Sequence, residues 1–211
     1  ISWEGFPLNS NSSGENNMSL VPVTGFNQIE IDYSASATNF GSGTFGGAVT
    51  LKHTPIWKKQ AKASYFASVG SFDTYKTNIG YTIGNMRLQY SGTVFFSESE
   101  SDYEYYDYIR LENLKRKHAD YYKYGTIQNI HARITNHLYA HAAVWYQVNK
   151  SNLPALLGCE PNNSESQTDS SLRAFVSLQL MYPKTSISYK LSYINDYELY
   201  TEKISPMHTT Y

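Results

Sequence analysis

The sequence is poor in cysteine, in charge and in long apolar runs. Its single cysteine, Cys159, excludes an internal disulfide framework and a cysteine-based metal cluster. Lysine, arginine, aspartate and glutamate make up 17% of the residues, and the formal net charge is -1. This balance gives no reason to expect nucleic acid or an anionic surface as a partner. No apolar run reaches the length of about 18 residues that a transmembrane helix needs.

What the chain has instead is neutral polar residues, 20 tyrosines and a regular alternation. From Lys62 onward, polar and apolar residues alternate with a period of two, which is typical of strands with one apolar and one polar face. In the stretch 86–97, for example, Leu88, Val94 and Phe96 share one face, and Gln89 and Thr93 share the other. The alternation predicts seven strands, at 62–70, 75–83, 86–97, 124–135, 138–149, 172–182 and 186–198.

The connections between these strands also follow a pattern. Short turns are predicted at Gly84-Asn85, Asn136-His137 and Pro183-Lys184, and long polar loops at 98–123 and 150–171. Short connections on one side and long ones on the other are typical of an outer-membrane barrel, whose strands need about 9–11 residues to cross a bilayer. The pattern therefore predicts a mainly β chain that forms part of a transmembrane antiparallel β-barrel. A soluble β-sandwich is the alternative, because it also alternates.

A glycine-rich segment, Asn39 to Leu51, contains G-x-G-x-x-G at Gly41, Gly43 and Gly46. A dinucleotide-binding site would need a buried strand before these glycines and a helix after them. The preceding residues are small and polar, and the following residues, GAVTL, favour a strand. The motif is therefore interpreted as a tight turn between extended segments.

The first 51 residues carry five further motifs: Glu4-Gly5-Phe6-Pro7-Leu8-Asn9, Leu20-Val21-Pro22, Ile29-Glu30-Ile31, Phe40-Gly41-Ser42 and Gly46-Gly47-Ala48-Val49. In this order they closely resemble the second half of the plug domain of TonB-dependent outer-membrane receptors. The departures are Glu4 for the usual aspartate, Phe40 for the common tyrosine and Thr50 for asparagine. The segment from Leu153 to Phe175 is similar, more weakly, to early barrel strands of cobalamin and siderophore receptors.

The resemblance implies a domain organisation. Residues 1–55 would be the C-terminal half of a plug domain, and residues 56–211 would be the N-terminal strands of the barrel. Receptors of this kind enclose the plug in a barrel of about 22 strands. Since bacterial single-chain barrels use an even number of strands, seven strands predict that this barrel is incomplete.

The resemblance also implies a function. The chain would belong to a receptor in the outer membrane of a Gram-negative bacterium, importing a scarce large solute such as cobalamin or a ferric siderophore by ligand-triggered plug movement. Its partners would be outer-membrane lipid, the solute and a TonB-type periplasmic energy-coupling protein, with no nucleic acid, and it would not be an enzyme. The alternative is a soluble β-rich binding or adhesion module with no transport role.

Three groups of site residues follow. The resemblance assigns solute contact to the plug loop Asn9, Ser10, Asn11, Ser12 and Ser13, and the plug-to-barrel turn to Gly41, Ser42, Gly46 and Gly47. Closely spaced carboxylates at Asp102, Glu104 and Asp107 suggest a calcium site in an outer loop, and no other cofactor is expected. His131 and His141 are expected to face the lumen as solvated side chains, with His137 in a turn.

Overall fold

The structure, a computed structural model, describes residues 1–9, 18–33, 47–154 and 163–204. Its strands are β1 (Ser2–Trp3), β2 (Phe6–Pro7), β3 (Gln28–Asp32), β4 (Ala48–Lys52), β5 (Gln60–Gly70), β6 (Thr74–Gly84), β7 (Leu88–Ser99), β8 (Glu104–Asp107), β9 (Glu112–Lys115), β10 (Tyr121–Arg133), β11 (Leu138–Leu153), β12 (Asn163–Tyr182) and β13 (Thr185–Ile204). Two short 3-10 turns lie at Met18–Leu20 and Val23–Gly25. Within the described ranges, no helix is long and apolar enough to span a membrane.

Seven of these strands form one antiparallel sheet in the order β13-β12-β11-β10-β7-β6-β5. The seven strands predicted from the alternation are confirmed, and each pairs with the next of the seven in chain order. Short turns join β6 to β7, β10 to β11 and β12 to β13, as predicted. The sheet is open: β5 and β13 form its two edges.

The prediction of one long loop over 150–171 is wrong. Strand β11 continues to Leu153, and β12 already begins at Asn163. Residues such as Ser166, Thr168 and Ser170 are too polar to give an apolar stripe, but their backbone pairs with β11 on one side and β13 on the other. The ladder bonds come from the main chain, so a polar sequence continues a strand when both neighbours are in place.

The predicted loop over 98–123 also contains structure. Strands β8 and β9 pair within it as a separate antiparallel hairpin, with Glu104 opposite Lys115 and Asp107 opposite Glu112. The tip of this hairpin exposes Tyr108, Ile109 and Leu111.

The N-terminal residues form a separate four-stranded sheet in the order β2-β1-β4-β3, which we call the N-terminal unit. Strand β1 is parallel to β4, and β3 is antiparallel to it. Strand β4 begins directly after Gly47, so the segment that follows the glycine-rich motif is a strand, as predicted, and not a helix.

The two faces of the large sheet differ in an unusual way. The inner face, on which the N-terminal unit packs, carries buried polar side chains, among them Gln89, Thr93 and Asn129. The outer face is apolar and exposed. Each strand contributes a large exposed apolar side chain to it, in order Tyr65, Ile79, Val94, Ile130, Val144, Val176 and Leu191. A water-soluble sheet has the opposite distribution, with its apolar face covered.

Candidate functional site

The candidate site is the contact between the N-terminal unit and the inner face of the large sheet. Its apolar centre is Trp3, which is 1% exposed and packs edge-on against Trp145 at 5.6 Å and Phe175 at 5.0 Å between ring centroids. Ile127 and Ala143 complete the buried cluster. Edge-to-face aromatic pairs of this kind stabilise beyond the area that they bury. One residue of the N-terminal unit therefore joins three strands of the sheet.

Polar contacts surround this aromatic centre. Lys190 Nζ on β13 donates to the carbonyl of Glu4 at 2.6 Å, and the amide of Ile56 donates to Gln89 Oε1 on β7 at 2.9 Å. Asn78 on β6 donates to the hydroxyl of Thr24. Hydrogen bonds from the N-terminal part of the chain thus reach β6 and β7 on one side of the sheet and the edge strand β13 on the other.

Glu4 is a buried carboxyl group at this contact, with 8% of the residue exposed. Its Oε1 accepts a 2.7 Å hydrogen bond from the amide of His53. Burial disfavours the charged carboxylate and raises the pKa of Glu4, although the His53 amide and Lys190 act in the opposite direction.

The imidazole rings of His53, His131 and His141 form a stack close to Glu4. His53 Nδ1 and His131 Nε2 are 3.1 Å apart, and the His131 ring stacks on the His141 ring with centroids 3.7 Å apart. His53 Nε2 lies 3.0 Å from the hydroxyl of Ser91, and His141 Nε2 lies 3.2 Å from Asn129 Oδ1. His131 and His141 face inward as expected. The expectation of a solvated side chain is wrong for His131, which is 4% exposed because the N-terminal unit covers it, and His141 is half-buried.

This stack predicts a loss of stability in acid. Burial lowers the pKa of His53 from 6.5 to about 4. The unfolded chain therefore binds a proton between those values that the folded chain does not, so the stabilisation is complete above pH 6.5 and is lost as the pH falls towards 4. We expect the free energy of unfolding to fall by about 3 kcal/mol over that interval through His53, measured by denaturant titration at each pH.

The variant His53→Gln tests the assignment. It removes the titrating ring, so its stability should depend less steeply on pH than that of the parent chain. His118→Gln is the control, because His118 is an exposed loop residue far from the stack. An unchanged pH dependence in His53→Gln would contradict the prediction.

Two cavities flank the Val23–Gly25 turn of the N-terminal unit. We call the one towards the longer connections of the sheet the upper cavity and the other the lower cavity. The lower cavity, about 640 Å³, lies against β5, β6 and β7 and is lined by His53, Gln60 and Ser64 among others. The upper cavity, about 580 Å³, lies between Val21–Thr24 and the inner face of β6, β7, β10, β11 and β12, towards their longer connections. The contact between the two units is therefore not filled throughout.

The side-chain amide of Gln128 on the outer face has hydrogen-bond partners at both its oxygen and its nitrogen. Gln128 Oε1 accepts hydrogen bonds from the hydroxyls of Tyr81 at 2.5 Å and Tyr90 at 2.7 Å, and its Nε2 donates to Thr126 Oγ1 at 2.6 Å. A Cβ on Gly92 would collide with the Gln128 and Tyr81 oxygens, so glycine provides the room for this network. Both ends of this outer-face amide therefore bond within the sheet.

The predicted solute-contact and turn residues lie mostly outside the described residues: Ser10, Asn11, Ser12, Ser13, Gly41, Ser42 and Gly46. Asn9 follows β2 and is half-buried. Gly47 has φ +130, and a Cβ there would collide with the carbonyl oxygen of Asp32. Both features require glycine at this position, which supports the interpretation of Gly47 as part of a tight turn before β4.

The three carboxylates predicted to bind calcium do not share a common partner. Asp102 forms an ion pair with Lys115 at 3.0 Å, which raises the pKa of Lys115, and Glu104 is exposed. Asp107 is buried and accepts hydrogen bonds from the amides of Ile109 and Arg110, at 2.8 and 3.2 Å. No group of three His, Cys, Asp or Glu side chains among the described residues is placed to hold a metal ion.

Sequence reasoning missed the residues that hold the two units together. Trp3, His53 and Lys190 are far from their partners in the sequence, and nothing near them marks the pairing. The signals that were present are inward-facing apolar residues, Ile127 and Trp145, on strands whose inner face is otherwise polar. Neither the comparison with protein-family models nor that with curated proteins finds a match to this chain.

Proposed function

We propose that this chain is part of a TonB-dependent outer-membrane receptor that imports a scarce large solute. The seven-stranded sheet is a segment of the barrel wall, and the N-terminal unit is the part of the plug seated against it. The observation that carries this proposal is the distribution of apolar side chains, exposed on the outer face of all seven strands while the inner face is mostly polar and is covered at its centre by the N-terminal unit.

The outer face suits hydrocarbon in extent as well as composition. On β12 the outer positions from 172 to 182 are all apolar or aromatic, namely Leu172, Ala174, Val176, Leu178, Leu180 and Tyr182. A tilted strand needs about 9–11 residues to cross a bilayer. Because water does not reach such a surface, polar groups on it must be satisfied internally, which the Gln128, Tyr81 and Tyr90 network supports.

The inner face supports the second half of the proposal. An outer-membrane barrel has a polar lumen, and large barrels are closed by an internal domain. The N-terminal unit lies against this polar face. A small aromatic cluster and a few hydrogen bonds hold it there, and two cavities leave the contact partly unfilled. An interface that is only partly packed is suited to a domain that must shift when a solute binds.

Cell fractionation and uptake test this proposal together. The protein carrying this chain should be found in the outer-membrane fraction and leave it only in detergent. Cells should take up cobalamin or a ferric siderophore faster with the receptor than without it, and deletion of the TonB-type coupling protein should abolish the difference. The control is the same receptor without the segment from Ile1 to Leu51, which the proposal assigns to the plug.

A single result would decide against membrane placement. If the protein is monodisperse in buffer without detergent, the outer face is in contact with water or with another soluble surface. The chain would then be the β-rich binding or adhesion module considered above, and uptake would be independent of it.

A further inference from the structure

We propose that the upper cavity binds the anionic end of its solute, a carboxylate or phosphate next to an apolar group, through Lys76 and Lys123. This inference rests on the proposed function, since it takes the cavity as the solute site of a receptor. It adds the chemical class that the site selects.

The register of the sheet brings the two lysines to one place. Lys76 on β6 is opposite Ser97 on β7, and Ser97 is opposite Lys123 on β10. All three side chains therefore lie on the inner face, with the lysine Cα atoms about 10 Å apart, twice the spacing between neighbouring strands. Two lysine side chains of ordinary length reach a common point above Ser97 from that separation.

The two charges are not neutralised. Among the described residues neither lysine forms an ion pair; Lys123 Nζ donates to the carbonyl of Ser19 at 2.5 Å, and Lys76 is exposed to the cavity without a bonded partner. Two like charges close together, one of them half-buried, destabilise the empty site. An anion between them would relieve the repulsion and accept hydrogen bonds from their remaining N–H groups.

The other polar groups of the cavity leave this position open to an anion. Asp169 is the one carboxylate among the described lining residues, and its two oxygens already accept hydrogen bonds from Gln167 at 3.0 Å and Asn149 at 3.2 Å. Ser97 and Tyr121, whose hydroxyls are 3.4 Å apart, lie on the lysine side and add donors. In the register of the sheet, Asp169 lies two strands beyond Lys123, on the side away from Lys76, so the space above Ser97 has a lysine on each side and the carboxylate outside it.

The remaining lining is apolar. Val21 and Val23 from the N-terminal unit meet Phe66 and Phe95 from the sheet around the same space. A solute whose anionic group lies next to an aromatic or aliphatic body would match both parts of the cavity, whereas a fully hydroxylated glycan would leave the apolar part in contact with polar groups.

Three small probes test the inference on the purified receptor in detergent: N-acetylphenylalanine, its carboxamide and phenyl phosphate. Isothermal titration should show at least one anion binding about 10-fold or more tightly than the carboxamide, which has the same apolar body as the first anion. The tighter of the two anions identifies the preferred group. Equal affinity for all three probes would overturn the proposal.

The double variant Lys76→Gln with Lys123→Gln assigns the effect to these residues. It should bind the anions and the carboxamide with equal affinity, while Lys62→Gln, which removes a lysine from the lower cavity, should keep the preference. Preference retained in the double variant would overturn the assignment. Membrane insertion of the double variant should be unchanged, so a failure of the receptor proposal would appear in fractionation and not in this titration.

Discussion

Val144→Arg is expected to lower the free energy of unfolding in phospholipid bilayers by about 2–4 kcal/mol. Val144 is 42% exposed at the middle of the outer face of β11. It is in register with Gln128, Ala174 and Tyr193 on the adjoining strands. In a membrane that exposed fraction is in contact with hydrocarbon, where a guanidinium loses its hydration. The measurement is equilibrium folding into lipid vesicles as a function of denaturant.

Ser64→Arg is the matched control for this prediction. Ser64 on β5 is in register with Gly80, Thr93 and Ile127 on the intervening strands, one position along the sheet from the row of Val144. Its side chain lines the lower cavity on the inner face. An arginine there has room and polar surroundings, so we expect a change within about 0.5 kcal/mol. Equal, small effects of both variants would contradict a lipid-facing outer surface, because an exposed valine in water tolerates arginine.

Trp3→Ala is expected to destabilise the folded chain by about 3–5 kcal/mol, the cost of removing a fully buried large aromatic side chain. Its ring contacts Trp145 and Phe175, so the substitution leaves a cavity between the N-terminal unit and the sheet. Denaturant unfolding in detergent measures the loss. Limited proteolysis should also cut the N-terminal unit sooner, since Trp3 is the most deeply buried of the apolar side chains that hold it against the sheet.

Two companion variants separate packing from other effects. The indole nitrogen of Trp3 is buried without a hydrogen-bond partner among the described residues, so Trp3→Phe should cost under about 1.5 kcal/mol although it changes the same residue. Tyr33→Ala removes an aromatic side chain that is 84% exposed in the same unit and should change stability by less than about 0.5 kcal/mol. A similar loss in all three variants would contradict the role given to Trp3.

The strands of the large sheet were predictable because their signal is local. Alternation along 86–97 assigns Leu88, Val94 and Phe96 to one face, and the structure places them together on the outer face. The turns were predictable for the same reason, since glycine, asparagine and proline act on their own backbone. Where side chains gave no apolar stripe, at Asn163 to Ser171, the prediction failed, because backbone pairing with β11 and β13 decides that stretch.

The candidate site was mostly not predictable. His53 and His131 are 78 positions apart, and Glu4 and Lys190 are 186 apart, so no spacing in the sequence indicates that either pair meets. The expectation of solvated inward histidines was wrong for His131 because it considered only the polarity of the strand and not the unit that covers it. The calcium prediction counted carboxylates by proximity in sequence, whereas Asp102 and Asp107 have separate partners.

The sequence by itself determined the strands, their two faces and the turns between them, since each depends on the chemistry of residues a few positions apart. The tertiary structure alone decided which face is covered, how Trp3 and the three histidines meet, and where Lys76 and Lys123 lie relative to a cavity. Those features depend on the register between strands and on the seating of the N-terminal unit. Both are fixed by contacts between residues distant in the chain, and a local pattern does not encode them.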